Sequence, residues 1–341
     1  AAAARCLTRW CSAMGWLTDK IAETSRELDA RFNLKTVHRR LQAVAKVMIV
    51  TTFLEDAIRV AVTFSVQQNS MRIAGWQSPV LHSVLPAISF VVQSIGSLLV
   101  ITPGDHARGL VGCYILLAWC LWHPFMYKQQ TNTEFIFETL TIMGGLAILI
   151  SHFMLSAPAA KAGLPRTYSS TADTPHNNRA HRIQALGRML VCSIFLYYAF
   201  QQVHGYAKTL NFTSKDFDWK TPAFEGVLII ALLYMCSLVI IGIKSRWVAM
   251  ALALAMFFAD LYMHPFWVFI FSTKTYTMEG VAGMEGFEVD AFTMADHQRY
   301  FCFQTMSTCG ALLLLVVHGP GKLSIDEQHG PMQLITTKGD A

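Results

Sequence analysis

Charge is what this sequence has least of. Of its 341 residues only 14% are Asp, Glu, Lys or Arg, against 53% hydrophobic, and the mean hydropathy is +0.38. A soluble domain carries about 25% charged residues, so the deficit excludes a disordered chain and most soluble enzymes of this length. Proline (11) and glycine (21) are too sparse for a collagen-like or low-complexity chain. Basic residues never run beyond two (Arg39-Arg40) and lie between apolar stretches, so the net charge of +5 is not a nucleic-acid footprint. None of the eight cysteines forms a Cys-x-x-Cys pair, and six lie in apolar stretches, which favours buried thiols over a disulfide framework or zinc site. No HExxH or HxxxH spacing, Gly-rich phosphate loop or nucleophile elbow occurs. No catalytic, cofactor-binding or metal-binding set is expected. The composition is that of a membrane protein.

A bilayer core of ~30 Å needs about 20 apolar residues per helix. Eight stretches meet that length: 41–65, 80–101, 109–127, 134–154, 185–206, 223–243, 246–271 and 299–318. They predict an all-α protein of about eight transmembrane helices. A basic N-terminal segment (1–40) leads into four helices (41–155). A polar linker (156–184) separates these from four more (185–318), and a tail (319–341) follows.

The two halves read as copies. Arg40-Leu-Gln-Ala-Val-Ala-Lys-Val-Met48 aligns with Arg182-Ile-Gln-Ala-Leu-Gly-Arg-Met-Leu190, and Phe53-Leu54 with Phe195-Leu196. His123-Pro-Phe125 returns as His264-Pro-Phe266, Phe137-Glu-Thr-Leu140 as Phe303-Gln-Thr-Met306, and Gly144 as Gly310. Four crossings per copy is an even number, so the repeats are expected to be parallel, about an axis along the membrane normal. By the count of Lys and Arg, 18 on the side of the termini and the linker against 7 on the other, both termini face the cytoplasm or a mitochondrial matrix.

Charges inside spans are costly and therefore candidates for function. Glu55, Asp56 and Arg59 share the first span, with Glu55 and Arg59 spaced i,i+4 in the favourable order. They make either a polar site facing the bundle or a self-neutralised pair that lets the helix insert. Glu138 and Asp260 complete the candidate intramembrane polar site. His123 and His264, each before a Pro, read as interfacial rings bonded to carbonyls freed by the Pro. Ala251, Ala255 and Ala259 form a small-residue stripe expected to pack against another helix. Trp119, Trp122, Trp247 and Trp267 resemble an interfacial aromatic belt.

Five segments taken in order carry a family resemblance: Thr52-Phe-Leu-Glu-Asp-Ala-Ile-Arg59, Ala162-Gly-Leu-Pro165, Leu186-Gly-Arg-Met-Leu190, Phe303-Gln-Thr-Met306 and His318-Gly-Pro-Gly-Lys-Leu-Ser-Ile-Asp-Glu327. Over residues 40–327 the chain resembles the Surfeit-locus-four family of polytopic cargo receptors. The resemblance implies an eight-helix bundle without cofactor, built of DoxX-like four-helix units. It also implies capture of soluble cargo for export from the endoplasmic reticulum. Members of that family end in a lysine-rich retrieval signal, whereas here Asp326-Glu327 continues to Ala341 with one lysine. Residues 1–18 carry Arg5 and Arg9 and no acid, like an organellar transit region. On these two features the expected role is a non-catalytic accessory subunit of a larger complex of the mitochondrial inner membrane. Its partners would be lipids and other protein chains holding the tails and the linker. The alternative is an ER-to-Golgi cargo receptor with secretory cargo as partner.

Overall fold

The computed structural model describes residues 34–104, 106–162, 175–209, 220–277 and 288–325. Contacts divide the chain at Ala43/Val44. Of the first unit, residues 34–43 are described, a largely exposed helical stretch. In order, the described elements are α1 (Leu34–Val62), α2 (Phe64–Ile73), α3 (Pro79–Ile101), α4 (His106–Met126), α5 (Thr133–Ala162), α6 (Pro175–Val191), α7 (Ser193–Thr209), α8 (Lys220–Ile241), α9 (Ser245–Met263), α10 (Phe266–Ile270), β1 (Thr275–Thr277), β2 (Glu288–Asp290) and α11 (Ala291–His318). Pro79 opens α3, where its missing N–H costs nothing, and Pro103 and Pro320 follow the ends of α3 and α11.

Among the described residues, six stretches are long and apolar enough to cross a bilayer: Pro79–Ile101, His106–Met126, Thr133–Ser156, Asn177–Gly205, Ser245–Ile270 and Ala291–His318. The expected span 41–65 is not among them, because α1 carries Lys46, Glu55, Asp56 and Arg59. The expected span 223–243 falls in the 22-residue α8, whose part Glu225–Ile241 is apolar. The last helix begins at Ala291, eight residues before the expected 299. Ahead of it the expected loop pairs back on itself, Thr275 opposite Asp290 and Thr277 opposite Glu288. Asp290 accepts a hydrogen bond from the Thr293 hydroxyl, which holds its carboxyl below the usual carboxylate range.

The core is built where backbones meet closely. A Cβ on Gly144 of α5 would stand 2.5 Å from the Val191 nitrogen and 2.8 Å from the Leu190 carbonyl carbon of α6. A Cβ on Gly310 of α11 would stand 2.6 Å from Met48 Cβ and 2.8 Å from the Ile49 nitrogen of α1. Only glycine permits either approach, so dispersion contacts here run backbone to backbone. Polar side chains seal both junctions. Ser193 Oγ lies 3.1 Å from Thr141 Oγ1, and Ser307 Oγ donates to the Ile49 carbonyl at 2.7 Å. Helices α5 and α11 run in the same direction. Gly145 lies against Ala311, and seven residues further along both helices the His152 ring stacks on His318 with centroids 4.0 Å apart. A repeat every seven residues is the spacing of a left-handed helix pair.

Two sequence expectations are corrected. Ala251, Ala255 and Ala259 are all exposed, and α9 buries Ala249, Leu252, Ala253 and Asp260 instead. Trp119 is not part of a belt but 5% exposed inside the bundle, unlike Trp122, Trp247 and Trp267, whose indoles reach the surface.

Gly144→Ala and Gly310→Ala should each destabilise the protein by about 1–3 kcal/mol or more, because the new methyl meets backbone rather than a movable side chain. Gly226→Ala, with open space around it, should be neutral or slightly stabilising. Ala255→Leu should be tolerated. Thermal midpoints in detergent decide these; a neutral Gly310→Ala would remove the proposed close approach.

Candidate functional site

The five polar residues expected to form one site divide into two groups. Glu55, Asp56 and Arg59 belong to the first. Asp56 is 6% exposed, takes a guanidinium hydrogen bond from Arg59 and accepts from Gln93 Nε2 of α3 at 2.5 Å. Gln93 is steadied in turn by Ser89, 2.9 Å away. The Glu55–Arg59 pair expected from i,i+4 spacing is therefore corrected to Asp56–Arg59 at i,i+3. Glu55 instead bonds Arg299 of α11 at 2.9 Å, and Arg299 also reaches Asp296 at 2.5 Å. Successive helical residues point about 100° apart, so Glu55 and Asp56 face different neighbours. Asp56 is turned to α3 and Glu55 to α11. Sequence reading missed Arg299 because it placed this residue at the edge of a loop.

A cavity of about 40 Å³ lies beside this group, lined by Asp56, Gln93, Trp119, His123, Tyr300 and Gln304 among others. Tyr300 presents its ring to the Arg59 guanidinium 5.5 Å from the centroid. His123 packs among aromatic rings, 5.5 Å from Trp119, 5.0 Å from Tyr127 and 5.3 Å from Phe135, and its Nε2 makes no hydrogen bond. His264 bonds the Gln298 side chain through Nδ1 at 2.8 Å. Neither ring is bonded to a carbonyl released by its proline, which corrects that expectation.

Glu138 and Asp260 meet in a second, larger cavity of about 370 Å³, between α5, α7, α9 and α11. Glu138 is 7% exposed and sits against the Gln304 side chain. Asp260 is 2% exposed, and neither of its carboxylate oxygens makes a hydrogen bond, with Cys302 and Thr305 the polar side chains beside it.

The two cavities are lined by positions that the internal alignment pairs. Phe53, Asp56, His123, Phe135 and Thr139 line the first, and Phe195, Tyr198, His264, Phe301 and Thr305 stand in the same places in the second. Gln304 in the first is matched by Glu138 in the second. Their differences explain their sizes. Where the first has Trp119 and Ile142, the second has Asp260 and Thr308.

The SURF4 family matches residues 20–278 and 287–330. The chain belongs to the SURF4 family. Its relatives include the Surfeit locus protein 4 homolog of Schizosaccharomyces pombe, 28% identical over 286 residues that make up 84% of this chain and 80% of that protein. The Surfeit locus protein 4 homolog of Drosophila melanogaster is 22% identical over 84% of this chain and 89% of its own length. The ER-derived vesicles protein ERV29 of Saccharomyces cerevisiae is 23% identical over 84% of this chain and 76% of its own. No solved structure matches.

In this SURF4-family chain the pairing makes a specific mutational prediction. Asp56→Leu alone leaves Arg59 without its acid and should cost about 3–5 kcal/mol, whereas Asp56→Leu with Arg59→Leu should be near neutral. Glu55→Leu should be rescued by Arg299→Leu and not by Arg59→Leu. Folded yield after detergent extraction reads out each combination. Rescue of Glu55→Leu by the Arg59 change would restore the i,i+4 pair.

Proposed function

We propose that the protein is a non-enzymatic membrane cargo receptor of the early secretory pathway, collecting soluble proteins in the lumen of the endoplasmic reticulum for vesicles bound for the Golgi. The observation that carries this reading is the match, over 84% of the chain, to a protein named for ER-derived vesicles. The mitochondrial accessory subunit draws no support from these relatives, and it gives way to the receptor. The features that had favoured it, Arg5 and Arg9 and the chain beyond Asp326-Glu327, lie outside the described residues.

The same proposal takes the membrane region as eight crossings in two parallel four-helix repeats. Three observations support it. Gly144 meets Leu190 as Gly310 meets Met48, and both pairs are matched in the alignment. Gly145/Ala311 and His152/His318 join residues that are each other's counterparts, as contacts on a two-fold axis must. The two cavities share their lining positions. Helix α1 can cross despite its charges because Arg59 and Arg299 neutralise Glu55 and Asp56. In this arrangement the β1–β2 hairpin and the first turns of α11 stand on the side away from the termini, where cargo is met.

Two experiments test the reading. Loss of the gene in its own cells should hold back a subset of soluble secreted proteins, seen as their depletion from the medium and accumulation in the endoplasmic reticulum; an unchanged secretome would refute the receptor role. Compartment is tested at Asn211-Phe-Thr213, a glycosylation sequon outside the described residues. With the segment between α7 and α8 lengthened by a Gly/Ser insert to clear the membrane, the protein should gain an endoglycosidase-sensitive glycan. A lengthened protein that stays unmodified overturns the assignment to the secretory pathway.

A further inference from the structure

We propose that the second cavity binds an organic ammonium ion, a protonated amine carried on an apolar body, with Asp260 as its counter-ion and Glu138 beside it. An ionised carboxylate without a partner is among the most expensive groups to bury. Asp260 is 2% exposed and lines the cavity with neither oxygen in a hydrogen bond of good geometry, the Cys302 thiol and the Thr305 hydroxyl being its polar neighbours, so it would need a counter-ion to be charged there. No lysine or arginine lines that cavity. Its one basic side chain, His264, is engaged through Nδ1 by Gln298.

Comparison with the first cavity shows what is missing. There the acid, Asp56, is closed by Arg59 and Gln93. The residue at the place of Arg59 in the second half is Gln201, which is exposed and bonds Tyr197 Oη at 2.9 Å. The first cavity is complete in charge and nearly filled. The second lacks a cation and has room for one, because Asp260 and Thr308 replace a tryptophan and an isoleucine.

The walls select the kind of cation. Phe195, Phe301 and Tyr198 give the wall an aromatic character suited to an ammonium, and Met256 offers an apolar surface to its alkyl part. A volume of about 370 Å³ suits a small organic ligand. A hard metal ion would ask for six or more oxygens, and among the described residues no three His, Cys, Asp or Glu side chains are grouped to hold one. Exposed Tyr198 and Met263 mark the mouth. The ammonium could come from a phospholipid headgroup or from a free amine. The inference depends neither on the compartment nor on the cargo reading.

The test uses the purified full chain in a neutral maltoside detergent at pH 7, with hexylammonium as probe and hexanol as its uncharged counterpart. Hexylammonium should raise the melting midpoint by several degrees in a saturable way, and hexanol should not. Asp260→Asn keeps the shape and removes the unpartnered charge, so the variant should fold and bind hexylammonium at least tenfold more weakly. Ala259→Phe narrows the cavity from an exposed position without touching a charge, and should also abolish the shift. This variant decides the matter if Asp260→Asn fails to fold. Phosphatidylethanolamine retained through detergent exchange by the wild type and lost from the variants would identify the source as lipid; stabilisation without lipid retention would identify a free amine. Equal stabilisation by hexanol, or an undiminished shift in the folded variants, would overturn the proposal.

Discussion

Two backbone contacts set the positions of everything else: α5 on α6 at Gly144, and α11 on α1 at Gly310. Within a membrane, apolar side chains gain nothing by leaving lipid for protein, so helix association depends on how closely surfaces fit. The glycines let pairs of helices approach until side chains on both sides interlock. The Thr141–Ser193 and Ser307–Ile49 hydrogen bonds form at that distance and would be out of reach with a methyl interposed. Both cavities lie beside these junctions, lined by residues of α5 and α11 that precede the glycines.

Around that frame the two cavities differ in electrostatics. One carries Asp56, Arg59 and Gln93 in a tight group, joined through Glu55 to Arg299. The other carries Asp260 and Glu138 with no lysine or arginine in the lining. A protein that needed these groups only for insertion would gain by replacing the second set with leucine or alanine. A buried acid is a standing cost to stability, and such costs collect at places where something binds or reacts.

The sequence made the all-helical membrane class legible, because scarcity of charge and runs of apolar residues follow from the solvent rather than from the fold. It also identified Glu55, Asp56, Arg59, Glu138 and Asp260, since any ionisable group in such a run stands out. Partner choice was not legible. Arg59 can reach either Glu55 or Asp56 along its own helix, and the choice is made by Gln93 and Arg299 on other helices. The alanine stripe failed for a related reason. Small residues permit close packing but do not demand it. Gly144 and Gly310 were visible as matched letters, yet their role as contacts required knowing which helix lay opposite.

The bond between Glu55 and Arg299 spans 244 residues of chain, and Gly310 likewise closes on Met48. At a synthesis rate of about 5–20 residues per second, Arg299 leaves the ribosome roughly 12–50 seconds after Glu55. Among the described helices, the first made thus waits for the last to complete its pairing. During that interval Glu55 must share Arg59 with Asp56, stay wet or protonated, or be held by the insertion machinery, so the bundle cannot assemble strictly in order of synthesis. Its closing step is the arrival of the final helix against the first.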